Sequence, residues 1–134
     1  VSLPGGVVEN GETFEDAALR EAREEIAFAS DSTRILGRLT PLDIPVSGFR
    51  LHPVVASIDH EPDLRPSDHE VARILRVAVD TLLDPRSILE RSMIRGDLQM
   101  QVPTFVVDEV AIWGATAMVL AEFLALLGWD PATQ

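Results

Sequence analysis

Apolar positions follow two different rhythms along this chain. Between Phe14 and Ile26, Leu19, Ala22 and Ile26 recur at three- and four-residue spacing, which predicts an amphipathic helix. Thr13 is placed to cap it, and Asp16 three residues on approaches a capping box. Upstream, "PGG" (4–6) and "ENGE" (9–12) read as two turns around a very short strand at Val7 and Val8. Ile35–Leu39 and Leu51–Ile58 predict strands, with Pro53 marking an edge or an irregular start in the second. Val71–Val79 alternates apolar and basic residues and predicts another strand. Asp80 is then expected to cap a short helix that ends before Pro85. "RSILERSMIRGD" (86–97) fits no single period. "VPTFVVDEVAIW" (102–113) predicts two strands around a tight Asp108–Glu109 turn. Residues from about Ala115 to Leu127 predict a helix that is apolar on most sides and well buried. A helix, a run of strands and a closing helix predict an α/β (α+β) arrangement, a mixed sheet flanked by helices.

Composition narrows the function classes. The 134 residues suit one domain with its own core, and 46% hydrophobic with 25% charged residues is an ordinary globular balance. There is no cysteine, so thiolate metal sites, cysteine nucleophiles and disulfides are excluded. A net charge of −11 and a pI near 4.5 argue against a partner gripped through its nucleic-acid phosphates. The longest apolar stretch, from Ala111 to Trp129, is interrupted by Glu122 and punctuated by Gly114 and Gly128, so it reads as a packed helix and no membrane span is expected. No signal peptide is evident, and a cytoplasmic location is expected. The chain begins at Val1 and meets a glycine turn within five residues, from which we expect further residues upstream. Homodimerisation is left open.

The densest chemistry lies in "REAREE" at 20–25, three glutamates in five positions. Like charges at these spacings repel on a helix. On a helical wheel the three carboxylates share an arc of about 100°, with Arg20 and Arg23 to another side. Glu21 and Glu25 are i,i+4 neighbours and can reach one hard cation. Taken alone, such a cluster is more often a solvated acidic face. The preceding glycines change the balance, because Gly5 and Gly6 let backbone groups approach a ligand closely. Magnesium takes one or two carboxylates readily and fills its remaining positions with water or phosphate.

Gly6, five residues, Glu12, seven residues and then Arg20-Glu21-Ala22-Arg23-Glu24-Glu25 together resemble the Nudix box, a motif of high specificity. Two positions depart from it. Ala22 is a small version of an aliphatic position, and Ala27 replaces the glycine that usually ends the helix. If that position still needs positive φ, alanine costs about 1 kcal/mol there; a differently shaped loop is the expectation. The resemblance implies an α/β/α sandwich over 1–134, Mg2+ or Mn2+ as cofactor, and attack of water on a diphosphate. It implies Glu21, Glu25 and Glu24 as metal ligands, joined by the Gly6 carbonyl, and an Arg20–Glu12 pair that holds the loop against the helix.

"LPGG" (3–6), residues 36–58, 66–85 and 112–127 are similar to the coenzyme A pyrophosphatase subfamily. That likeness implies hydrolysis of coenzyme A, or a derivative of it, to 3′,5′-ADP and 4′-phosphopantetheine. Leu3 stands where this subfamily usually has phenylalanine. The catalytic candidates are Glu21, Glu24, Glu25 and Glu70, with Glu21 or Glu70 orienting or deprotonating the water. Arg38 and Arg50, with Arg95, are candidates to meet phosphates through bidentate contacts, surface solvation being the commoner role for any single one. Ser47 and Gly48 are candidates to line the substrate pocket, a plain turn being the equal alternative. His52, His60 and His69 lack metal spacing and are read as surface or packing residues. Trp113 and Trp129 are read as core and helix-end anchors. Two other functions stay open: a Nudix hydrolase of another nucleoside diphosphate derivative such as ADP-ribose, and a Nudix-fold binding module without catalysis.

Overall fold

In the computed structural model, residues 1–67, 71–95 and 97–129 are described. Backbone proximity divides them into two compact units, 3–75 and 76–134 together with the first two residues.

The unit formed by 3–75 contains helix α1 (Phe14–Ile26) and strands β1 (Arg34–Arg38), β2 (Leu42–Ile44), β3 (Phe49–Leu51) and β4 (Val54–Ser57). The start of α1 is fixed by the expected side chains. The Asp16 amide donates to Thr13 Oγ1 at 3.1 Å and the Thr13 amide donates to Asp16 Oδ2 at 3.1 Å, a complete capping box. The helix ends at Ile26 because Ala27 turns left-handed, φ 56° and ψ 33°. The Ala27 amide reaches the Arg23 carbonyl at 3.0 Å and the Phe28 amide reaches Ala22 at 3.3 Å, a Schellman-type closure. The glycine position of the box therefore keeps its left-handed geometry with alanine in it, and the expectation of a differently shaped loop is corrected.

β1 and β4 pair antiparallel, Arg34 opposite Ser57 and Arg38 opposite Val54, with a bulge at Leu36. Pro53 lies just before β4 rather than within a strand, and its carbonyl accepts the Leu39 amide at 3.0 Å. β2 and β3 form a separate hairpin with Leu42 opposite Leu51. Ala17 on α1, Leu39 after β1 and Pro53 before β4 are buried among the described residues here. Val7 and Val8 form no strand, and neither do residues 71–78. Alternation tells which side chains share a face, but a strand also needs a neighbour to satisfy its amides and carbonyls, and among the described residues neither segment has a strand paired with it.

The second unit contains α2 (Val79–Leu83), a 3-10 turn at Pro85–Ser87, strands β5 (Ile88–Arg95), β6 (Leu98–Val107) and β7 (Val110–Ile112), and helix α3 (Gly114–Leu126). α2 begins after Ala78 without a side-chain cap, so Asp80 sits in its first turn rather than capping it. The segment 86–97 that showed no clear period supplies β5, which pairs along its whole length with β6. β6 and β7 join through Asp108 (φ 49°) and Glu109 (φ 66°), both left-handed, as a two-residue hairpin turn whose twist matches the flanking strands. Phe105, Val107, Ile112, Ala117, Val119 and Leu124 form the core of this unit, with Leu82 also buried. Trp113, read as a core anchor, stands before the first residue of α3 and is 64% exposed, which corrects that reading. Helices and antiparallel sheets make the chain α+β, and no parallel pairing occurs among the described residues.

Candidate functional site

The site is built on α1 and the loop before it. Arg20 is the hub. Its Nε donates to Glu12 Oε2 at 2.7 Å and its Nη2 to Glu12 Oε1 at 3.0 Å, a fork-to-fork pair. Nη2 also donates to the Val7 carbonyl at 3.1 Å. Glu12 in turn accepts the Glu9 amide at 2.8 Å, and the Glu12 amide closes on the Glu9 carbonyl at 3.1 Å. The loop 7–12 is thus tied to the helix by one guanidinium. The hydrogen bond from Arg20 is the main cause that holds the Glu12 carboxyl below its usual range, and the same bond raises Arg20. Both stay charged at neutral pH.

Arg20 also reaches the acidic cluster. Nη1 lies 2.8 Å from Glu21 Oε1 and 3.3 Å from Glu24 Oε2. The wheel places the arginines to one side of the glutamates, but the long Arg20 side chain spans the roughly 40° to Glu24 and the roughly 100° to Glu21, so Arg20 belongs to the same cluster. Glu21 is 14% exposed and Glu24 54%. Glu21 is therefore the inner carboxylate and Glu24 the outer one.

Gly6 is where the loop meets Glu21. A Cβ built on Gly6 would overlap the Glu21 carboxylate, lying 2.9 Å even from the more distant oxygen. Only a glycine lets the loop backbone lie flat against that carboxylate. The oxygen-only donor set of Glu21, Glu24 and Glu25, beside a backbone cradle that a Cβ would fill, fits a hard divalent cation. No three His, Asp or Glu side chains among the described residues form a ready-made metal cage. Magnesium does not require one, since it completes its shell with water and substrate oxygens.

Glu24 and Glu25 fall in the last turn of α1, where the negative end of the helix dipole disfavours carboxylates. Orphan carbonyls at that end are satisfied from the downstream loop. The Ser67 amide donates to the Glu25 carbonyl at 2.8 Å and the Arg65 amide to Ile26 at 3.0 Å. The docking of 65–67 onto the helix end was not legible in the sequence, because backbone-to-backbone contacts carry no residue signature. Glu70 and His69 lie outside the described residues.

Of the other candidates, Arg38, Arg50, Ser47, Gly48 and His52 are dispersed within this unit, while Arg95 is the last residue of β5 in the second unit. Arg38 spends its fork on Glu15, Nε at 2.5 Å and Nη2 at 2.9 Å, and its guanidinium stands 4.9 Å from the centre of the Phe14 ring. His52 stacks on Phe14, ring centres 3.8 Å apart and 11° from parallel. His52 is thus a packing residue. The Arg38 hydrogen bond is the main reason the Glu15 carboxyl is held down to about 2. Arg50 lies 3.5 Å from Asp43 across the β2–β3 pair, with both side chains exposed. Ser47 and Gly48 form the tip of that hairpin. The Ser47 Oγ accepts the Phe49 amide at 3.2 Å, and Gly48 is left-handed at φ 74°. Both residues thus serve the turn of this hairpin.

The NUDIX domain family model matches residues 1–95. A Pectobacterium atrosepticum protein described as an uncharacterized Nudix hydrolase NudL is 31% identical over 121 residues, 90% of this chain and 62% of the relative. Proteins of the same description from Citrobacter koseri and Salmonella paratyphi B are each 30% identical over 132 residues, 98% of this chain and 68% of theirs. The chain thus spans roughly two thirds of these relatives.

Proposed function

Because this chain belongs to the Nudix hydrolase family, we propose that it is a metal-dependent diphosphatase that cleaves coenzyme A or its derivatives to 3′,5′-ADP and 4′-phosphopantetheine. The observation that carries hydrolysis of a diphosphate is the Gly6 backbone pressed against the Glu21 carboxylate, with Arg20 and Glu12 locking the loop in place. The choice of coenzyme A rests on the likeness of "LPGG" and of residues 36–58, 66–85 and 112–127 to the coenzyme A pyrophosphatase subfamily.

Mg2+ or Mn2+, held by Glu21, Glu25, Glu24 and the Gly6 carbonyl, would neutralise diphosphate oxygens and lower the pKa of a bound water. Glu21 or Glu70 would orient that water and take its proton. Arg20 sets the Glu21 carboxylate through the 2.8 Å bond to Oε1. Arg50 would meet a substrate phosphate as one half of a surface ion pair that an anion can displace, with Ser47 and Gly48 beside it on the hairpin. The substrate is a small molecule, and the net charge of −11 disfavours nucleic acid. No helix among the described residues is long and apolar enough to cross a membrane. A cytoplasmic location belongs to this proposal.

Incubating the full-length protein with Mg2+ and a panel of coenzyme A, ADP-ribose and NADH tests the reading. Release of 3′,5′-ADP from coenzyme A is expected. Cleavage of ADP-ribose with coenzyme A untouched would move the protein to another diphosphate substrate. No cleavage of any of the three, with ligand binding unchanged in Glu25→Gln, would make it a binding module.

A further inference from the structure

Two consecutive residues in the first turn of α1 are held from one end of the β1–β4 pair. Arg38, the last residue of β1, donates both Nε and Nη2 to Glu15 and stands over Phe14. His52, two residues before β4, stacks on Phe14. Arg38 faces Val54 across the strand pair, and the Leu39 amide bonds to the Pro53 carbonyl. Arg38 and His52 therefore come from neighbouring positions of one small, hydrogen-bonded platform. A planar fork and a planar stack both resist rotation, which a single hydrophobic contact does not.

Phe14 and Glu21 are seven residues apart and Phe14 and Glu25 eleven, so all three fall within about 20° of one line along the helix. Whatever fixes the rotation of α1 at Phe14 also fixes the direction of both carboxylates. Side chains lie about 5–6 Å from the helix axis, so a 20° rotation moves a carboxylate by about 2 Å. Misplacement of about 1 Å at a reacting centre can cost about 100-fold.

We infer that Arg38 is a positioning residue: with Glu15, Phe14 and His52 it clamps the rotation of α1 and so places Glu21 and Glu25, instead of contacting substrate phosphate itself. The inference rests on the diphosphatase reading for its kinetic arm only. Its fork is already committed to a carboxylate, and a phosphate would have to displace Glu15 to use it.

Arg38→Met and Glu15→Gln in the full-length protein test the clamp, each read by Mn2+ affinity and by kcat and KM for coenzyme A. Both variants should weaken Mn2+ binding and lower kcat by about 10- to 100-fold with KM little changed. The exchanged pair Glu15→Arg/Arg38→Glu should recover both toward the parent values, which guards against a variant that merely folds poorly. Arg38→Met raising KM about tenfold or more while Glu15→Gln does nothing, with Mn2+ affinity unmoved, would make Arg38 a substrate contact and overturn the clamp. If the parent protein cleaves no diphosphate, the proposed function fails, while Mn2+ affinity across the same variants still decides the clamp: weakening supports it, constancy removes it.

Discussion

The Gly6 backbone lies so close to the Glu21 carboxylate that no side chain fits between them. The φ of Gly6 lies outside the left-handed region, so alanine is tolerated by the backbone and excluded by the neighbour alone. Gly6→Ala should therefore push the loop or the carboxylate aside. We expect diphosphatase activity to fall by about 100-fold while the far-ultraviolet circular dichroism spectrum is retained. Undiminished turnover would show that Glu21 does its work without the loop.

Arg20 ties Glu12, the Val7 carbonyl, Glu21 and Glu24 into one cluster. Arg20→Lys keeps the charge but loses the fork, and one ammonium cannot satisfy both Glu12 oxygens while holding Glu21. The variant should melt earlier than the parent and should expose the 7–12 loop to limited proteolysis. A proteolysis pattern like the parent's would assign the loop's position to other contacts.

Carboxylates near the C-terminal end of a helix meet an unfavourable dipole and each other, and a bound cation relieves both. Mg2+ should raise the melting temperature, and Glu21→Gln/Glu25→Gln should shrink the increase. A full increase in the double variant, followed by calorimetry, would place the cation elsewhere.

Ala27 holds a left-handed backbone at φ 56°. Glycine adopts that geometry without the Cβ clash, so Ala27→Gly should stabilise the fold by about 1 kcal/mol in urea unfolding. A destabilisation would mean that the added freedom of the unfolded chain outweighs the relieved strain.

Glu15 is held down to about 2 from an ordinary 4.5, and Glu12 is held down as well, chiefly by their arginines. A carboxylate with a depressed folded-state pKa contributes stability that is full above the unfolded value and lost as pH falls through the folded one. Between about pH 4.5 and 2 the parent should lose more melting temperature than Arg38→Met, in which Glu15 has no fork to lose. Parallel curves for the two proteins would remove Glu15 from the pH response.

The start of helix α1 was legible to the residue and its end to about Ile26, because a capping box and an apolar stripe are both local signals. The β6–β7 hairpin was legible for the same reason: two apolar runs flank two turn residues. Residues 71–78 failed in the opposite sense. Their alternation is real, but no strand among the described residues pairs with them. The segment 86–97 shows no single period because charges interrupt it, and its residues 88–95 pair with β6 nonetheless.

By itself, the sequence determined the family, the carboxylate cluster, the glycine loop and the ends of α1. These depend on residue type and spacing along one helix, and spacing is preserved on folding. The tertiary structure alone decided that Arg20 joins the glutamates, that Ala27 keeps the glycine's left-handed turn, that 65–67 docks on the helix end, and that Arg38 is bound to Glu15. Each of these joins groups whose meeting depends on backbone path and side-chain reach, and several meet through backbone atoms that every residue shares.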